Sequence, residues 1–236
     1  MDKLLQQLVD KLQKAFAGDL VSVILYGSAA TGEHHAKFSD CNVLCVLKVI
    51  AAHELAAAED IFRWWREQGS PAPMLLTEHE LTTSTDCFAI EFHDLKKHHR
   101  VLYGTDVLEG LAVDDSFYRA QVEHELRAKM LRLRQKASGI ISDPDLLRRL
   151  LLDSFSTFCV LFRHALLLNG IDAPSPKREI IRQCGEHFGL DTRPFESMLD
   201  VREEKVKPRD LEPVSLLEAY LAGIGKVTDA VDRLEK

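Results

Sequence analysis

The chain has 236 residues, 46% of them hydrophobic and 28% charged, the mixture of a globular protein with apolar material for one large or two modest cores, which excludes intrinsic disorder. Its formal charge of -7 is uneven, because residues 1–112 hold 10 Lys and Arg against 16 Asp and Glu, whereas the remainder holds 20 against 21. An acidic first half repels bare polyanions, which argues against generic duplex DNA binding and means that phosphates handled there need a divalent cation.

Leu4, Leu5, Leu8, Leu12 and Phe16 recur at spacings of three and four, which predicts an amphipathic first helix ending near Gly18. Two β-rich runs follow, LVSVILYG and CNVLCVLKVI, apolar on both parities as interior strands covered by helices are. HELAAAEDIFRWWREQG reads as a helix closed by Gly69, APMLLT as a short strand, and CFAIEFHDL as a fourth strand running into the basic stretch KKHHRVLYG. That order makes a small α/β layer over residues 1–112. From Phe117 the texture changes, and helices are expected at about 117–137, 144–169, 176–188, 194–205 and 213–234, separated by Pro, Gly and Asp clusters. Residues 113–236 therefore read as an all-α helical bundle. No internal repeat or low-complexity segment is evident.

Five cysteines, Cys41, Cys45, Cys87, Cys159 and Cys184, form an odd set without a Cys-x-x-Cys pair, as reduced thiols do. The opening residues alternate charge with Leu instead of forming a leader, and no uninterrupted apolar run is long enough to span a bilayer, so a cytoplasmic protein without a membrane partner is expected. No His or Cys set has zinc spacing on one element.

The segment LYGSAATGEHHAKFSDCNVLCVL carries the chemistry. Gly27 lets the chain turn sharply after a strand, and Ser28 with the following amides offers a hydroxyl and N–H groups, a phosphate cradle in outline that ordinary turn chemistry would also explain. In an extended strand, residues two apart share a face, so Asp40 and Asn42 project together while Cys41 and Val43 point away. Two oxygen donors on one face suit Mg2+, although an aspartate before a strand also serves as a plain turn residue.

Together, a strand ending in Gly27-Ser28 and a strand opening Ser39-Asp40-Cys41-Asn42 resemble the nucleotidyltransferase superfamily typified by DNA polymerase beta, its small bacterial and antibiotic-modifying members above all. The resemblance covers residues about 20–110. It implies a mixed sheet followed by a helical bundle, a Gly-Ser turn holding an NTP's triphosphate with ATP foremost, and an Asp-x-Asp or Asp-x-Glu pair holding Mg2+ or Mn2+. A third acid is expected on a later strand. Glu91, Asp94-Leu95 and Leu102-Tyr103-Gly104 match the spacing around that acid, which assigns its place to Glu91, the best-placed base for the acceptor hydroxyl, and leaves Asp94 to cap a following helix. The implied reaction moves a nucleotidyl group to a hydroxyl of a small molecule, protein or RNA end, and a homodimer is compatible with it.

The departure is Asn42, whose neutral carbonyl can ligate Mg2+ but bridges two cations poorly. Three outcomes stay open: a working site with one strongly held metal, a slow enzyme, or a fold that keeps nucleotide affinity as an antitoxin-like or sensing module without transfer. Elsewhere, Lys129, Arg132 and Lys136 share one stripe of a helix, which is ordinarily a solvated face. Arg182 and His187 fit the loose Arg-x4-His spacing of helical ribonuclease domains, but Arg119 and His124 fit it as well, so the spacing discriminates little. His34-His35, in the loop between the Gly-Ser turn and Asp40, are read as solvated loop residues, His98-His99 form a second pair with no role assigned, and Trp64-Trp65 and LFRHALLLNG are read as packing.

Overall fold

The computed structural model describes residues 2–30, 41–173 and 176–234. Asp40, His34 and His35 lie outside them, as does the side chain of Ser28. Contacts divide the chain into two compact units, 1–116 and 117–236.

In the first unit, helix α1 (Asp2–Phe16) precedes strand β1 (Leu20–Tyr26), a one-turn 3-10 bend at Gly27–Ala29 and strand β2 (Asn42–Leu47). Helix α2 (Ala52–Glu67), strand β3 (Met74–Thr77), short helix α3 (Glu78–Thr83), helix α4 (Ala89–Lys97) and strand β4 (His99–Gly104) complete it. The sheet order is β3-β2-β1-β4. β1 runs antiparallel to β2 and β4, and β2 parallel to β3 across the α2 crossover. The two runs that are apolar on both parities are the two inner strands.

One face of the sheet packs Val23, Leu25, Val43 and Cys45 against Leu8 and Leu12 of α1 and Trp65 of α2. The other packs Ile24, Leu44 and Val46 against Leu81 of α3, Phe92 and Leu95 of α4, and Leu108. The stretch 105–116 belongs to this unit because Val107, Leu108, Leu111 and Val113 cover that second face. Side chains of α4 also reach it, with the Lys96 ammonium donating to the Leu111 carbonyl and His93 Nε2 lying 2.6 Å from Asp115 Oδ1.

The expected fourth strand at CFAIEFHDL is instead helix α4. Ala89, Ile90, Phe92 and Leu95 are its buried residues, the three- and four-residue recurrence of a helix face and not the alternation of a strand. Glu91 in the first turn and Lys96 and Lys97 in the last also match the helix dipole. Asp94 is consequently a mid-helix residue and caps nothing after it, because the basic stretch that follows extends into β4. Helix α3 was absent from the expected order, although Thr77 and Glu80 form a capping box in which Thr77 Oγ1 accepts the Glu80 N–H at 3.1 Å and the Glu80 carboxylate accepts the Thr77 N–H at 2.8 Å.

The second unit is helical throughout its described residues: α5 (Tyr118–Ser138), α6 (Pro144–Leu168), α7 (Lys177–Phe188), α8 (Arg193–Arg202) and α9 (Pro213–Asp232). Asp143 caps α6 by accepting the Asp145 and Leu146 N–H groups at 3.1 and 3.0 Å, with Pro144 at the first helical position. Leu126, Met130 and Leu133 of α5 are buried, and an aromatic cluster joins Phe158 and Phe162 of α6 to Phe195 of α8 and Tyr220 of α9, with ring centroids 5.0 to 6.4 Å apart. By length and composition α6 could cross a membrane, yet its apolar residues form the centre of this core.

The packing segment LFRHALLLNG carries a buried polar group as well. Tyr118 Oη lies 2.6 Å from His164 Nδ1, and Arg163 lies 3.4 Å from His164 Nε2. Burial lowers the Arg163 pKa from its ordinary value.

Candidate functional site

Gly27 leaves β1 at φ 75°, a left-handed conformation that favours glycine. The bend is pinned on both sides, since Gly27 N–H donates to the His98 carbonyl at 3.2 Å and the Gly27 carbonyl accepts the Ala30 N–H at 2.9 Å. A Cβ at Gly27 would stand 3.4 Å from Asn42 Nδ2, so the Asn42 carboxamide lies directly against the bend.

Asn42 opens β2 opposite Tyr26 in the ladder. Leu44 and Val46 place its parity on the face covered by α4, whereas Cys41 and Val43 lie on the face covered by α1 and α2, as the period-two reading requires. The Cys41 N–H donates to Ser70 Oγ at 3.3 Å, tying the entry to β2 to the segment after α2.

Glu91 does not reach the site from a strand. It stands in the first turn of α4, exposed to solvent, while the next residue, Phe92, is buried in the sheet face beneath. Burial first, and the negative charge of Glu91 second, raise the Tyr26 hydroxyl above its ordinary pKa. The carboxylate thus comes from a helix packed on the sheet face, not from the expected β-strand, and it points to water instead of hydrophobic interior.

The described residues accordingly set the Asn42 carboxamide against a glycine bend with backbone N–H groups, and carry the solvent-facing Glu91 carboxylate on the helix packed over the same sheet face. Among the described residues, no group of three or more His, Cys, Asp or Glu side chains could hold a metal ion. The expected third oxygen donor, Asp40, lies outside them. The donors that are described are oxygens, which suit a hard divalent cation.

Sequence reasoning assigned no role to His99 and Asp106. His99 Nε2 lies 3.0 Å from Asp106 Oδ2, and His99 is the ladder partner of Tyr26 on β4. A strand at 99–104 was the missing signal, because only that strand brings the histidine beside the bend.

The remaining candidates are structurally committed. Arg182 is held between Glu179 and Glu186, and Arg119 donates to Glu123 at 2.8 Å, so neither arginine of the Arg-x4-His spacings is aimed at a histidine through these bonds. On the basic stripe of α5, Lys129 pairs with Glu125 at 3.3 Å, while Arg132 and Lys136 are exposed.

No protein-family model matches the sequence, and no curated protein matches it. Among solved structures the chain is similar to the spectinomycin adenyltransferase AAD(9) of Enterococcus faecialis, solved with ATP and spectinomycin. The TM-score is 0.64 at 13% identity, over 98% of this chain and 99% of that one. Two partial matches are a toxin-antitoxin complex with AMP-PNP, at 16% identity and TM-score 0.32 over 58% of this chain and 96% of that one, and a tri-AMPylated HEPN toxin with its MNT antitoxin from Shewanella oneidensis. The latter has 15% identity and TM-score 0.30 over 61% and 98%. The first likeness shows the fold: a nucleotidyltransferase-like mixed sheet followed by a helical region.

Proposed function

We propose that this nucleotidyltransferase-like chain transfers a nucleotidyl group from an NTP, ATP foremost, to a hydroxyl of an acceptor in an Mg2+-dependent reaction. The observation that carries the reading is the Asn42 carboxamide standing against the Gly27 bend, in the order that the Gly-Ser and Asp-x-Asn motifs set out. The AAD(9) likeness supports the same chemistry at the level of fold.

In this reading the N–H groups of the Gly27–Ala29 bend hold the triphosphate, as exposed amides at a tight turn do for anions. Asp40, Asn42 and Glu91 hold the cation. When bound, Mg2+ neutralises charge on the phosphates and lowers the pKa of the attacking hydroxyl. Glu91, exposed beside Tyr26, takes the hydroxyl proton as the new bond to the α-phosphorus forms and pyrophosphate leaves. Isothermal titration of the chain with ATP and Mg2+ should show heat that Asp40→Ala abolishes; absence of heat in both proteins would count against the site.

A second reading is favoured by Asn42 alone: a module that keeps nucleotide affinity and transfers nothing. Incubation with labelled NTPs separates the two. Turnover by the native chain removes the second reading, and turnover only after Asn42→Asp supports it.

A cytoplasmic setting belongs to the same proposal. Cys45, Cys159 and Cys184 carry no disulfide, and burial pushes the Cys45 and Cys159 thiols up to about 12, where they are inert and unsuited to redox chemistry.

A further inference from the structure

Three side chains form a row across the sheet beside the Gly27 bend. Tyr26 is the ladder partner of Asn42 on one side and of His99 on the other, and directly opposed residues share a face with their Cβ atoms roughly 5 Å apart. Val101, two residues beyond His99, packs on the face covered by α4, which puts the His99 ring there too. The intervening Arg100 turns to the opposite face and meets Asp2 of α1 at 2.9 Å. The residue before His99 supplies the carbonyl that accepts the Gly27 N–H. His99 is thereby locked beside the bend through backbone hydrogen bonds, with its side chain still 20% exposed.

Asp106 controls the ring. It accepts from His99 Nε2 at 3.0 Å and from the Leu108 N–H at 3.0 Å, and these bonds, that of His99 foremost, hold its carboxyl below the ordinary range. A carboxylate fixed by backbone amides sets the rotation of its histidine. A protonated ring that gives Nε2–H to Asp106 keeps Nδ1–H as a second, charged donor.

We propose that His99, oriented by Asp106, contacts the polyphosphate of the bound nucleotide, donating from Nδ1 to a phosphate held over the Gly27 bend. The inference rests on the nucleotide reading above and deepens it. Asn42 stands where a second carboxylate would otherwise help to retain cationic charge, and an imidazolium at the other end of the same row returns positive charge to the triphosphate. Among the described residues, Glu91 acts on Tyr26 and Asp106 is bonded to the ring itself. His93 is engaged with Asp115.

The test is calorimetric titration of the full chain with ATP, ADP and AMP in Mg2+, near the ordinary imidazole pKa of about 6.5, for the native protein, His99→Gln and Asp106→Asn. His99→Gln is expected to weaken ATP about tenfold, the size of one charge-assisted hydrogen bond, and to leave AMP unchanged. Asp106→Asn should weaken ATP in the same sense by less. Equal losses for ATP and AMP, or an unchanged ATP affinity, overturn the proposal. If His99→Gln does not fold, Asp106→Asn decides by the same comparison of ATP with AMP. A native chain that binds none of the three nucleotides removes the nucleotide reading and this inference with it, an outcome distinct from native binding that the variants leave intact.

Discussion

Gly104 and Gly27 both sit at positive φ, 79° and 75°, but their surroundings differ. A Cβ at Gly104 would stand 1.9 Å from the Val21 carbonyl oxygen, in the backbone of the neighbouring strand, whereas one at Gly27 would meet only the Asn42 amide at 3.4 Å. Gly104→Ala should therefore cost more than about 3 kcal/mol, and Gly27→Ala about 1–2 kcal/mol from the left-handed backbone alone. Urea denaturation of the two variants measures this, and similar midpoints would contradict it. Next to Gly104, the buried Ser22 hydroxyl donates to the Thr105 carbonyl at 2.7 Å, so the Leu-Tyr-Gly ending of β4 is held by β1 on both sides. Asp106, just beyond, has its folded-state pKa depressed. It stabilises the fold above its unfolded value of about 3.9, and that contribution is lost as pH falls through the lower folded value. Asp106→Asn should flatten the loss of stability below about pH 4, which an acid titration of thermal midpoints reads directly.

At the scale of elements, α4 links packing to chemistry. Phe92 is 1% exposed and faces the sheet, while its neighbour Glu91 faces water, so the buried ring fixes the height and rotation at which the carboxylate stands. Phe92→Ala should cost about 3–5 kcal/mol and weaken Mg2+-dependent ATP binding even though no ligand atom is removed; calorimetry beside chemical denaturation reports both. Retained affinity with the stability loss would show that Glu91 is placed by something else. Long helices such as α5, α6 and α9 were legible because their apolar stripes repeat over several turns and their ends carry Pro, Gly or Asp. AIEFHDL was not, because nine residues hold too few turns for period 3.6 to stand out, and its apolar residues Ile90 and Phe92 also alternate as a strand's would.

For the whole molecule, both tryptophans, Trp64 and Trp65, lie on α2 in the first unit, while the second unit contains none. Tryptophan emission therefore follows the unit that holds the candidate site, and far-UV circular dichroism weighs the helical second unit heavily. Mg2+ and ATP at about a hundred times Kd should stabilise the emission-monitored transition by about 2.7 kcal/mol; an unmoved emission midpoint under those conditions would sink the nucleotide reading. Hydropathy period and turn residues were enough to specify a sheet with two doubly covered strands, a helical second half, and the face of β2 on which Asn42 stands, because those are local consequences of side-chain periodicity. The placement of Glu91 by a helix, and the pairing of Asn42, Tyr26 and His99 in one row, came from strand register and from packing between residues up to about eighty positions apart, and no pattern within a single stretch of chain encodes a distance of that kind.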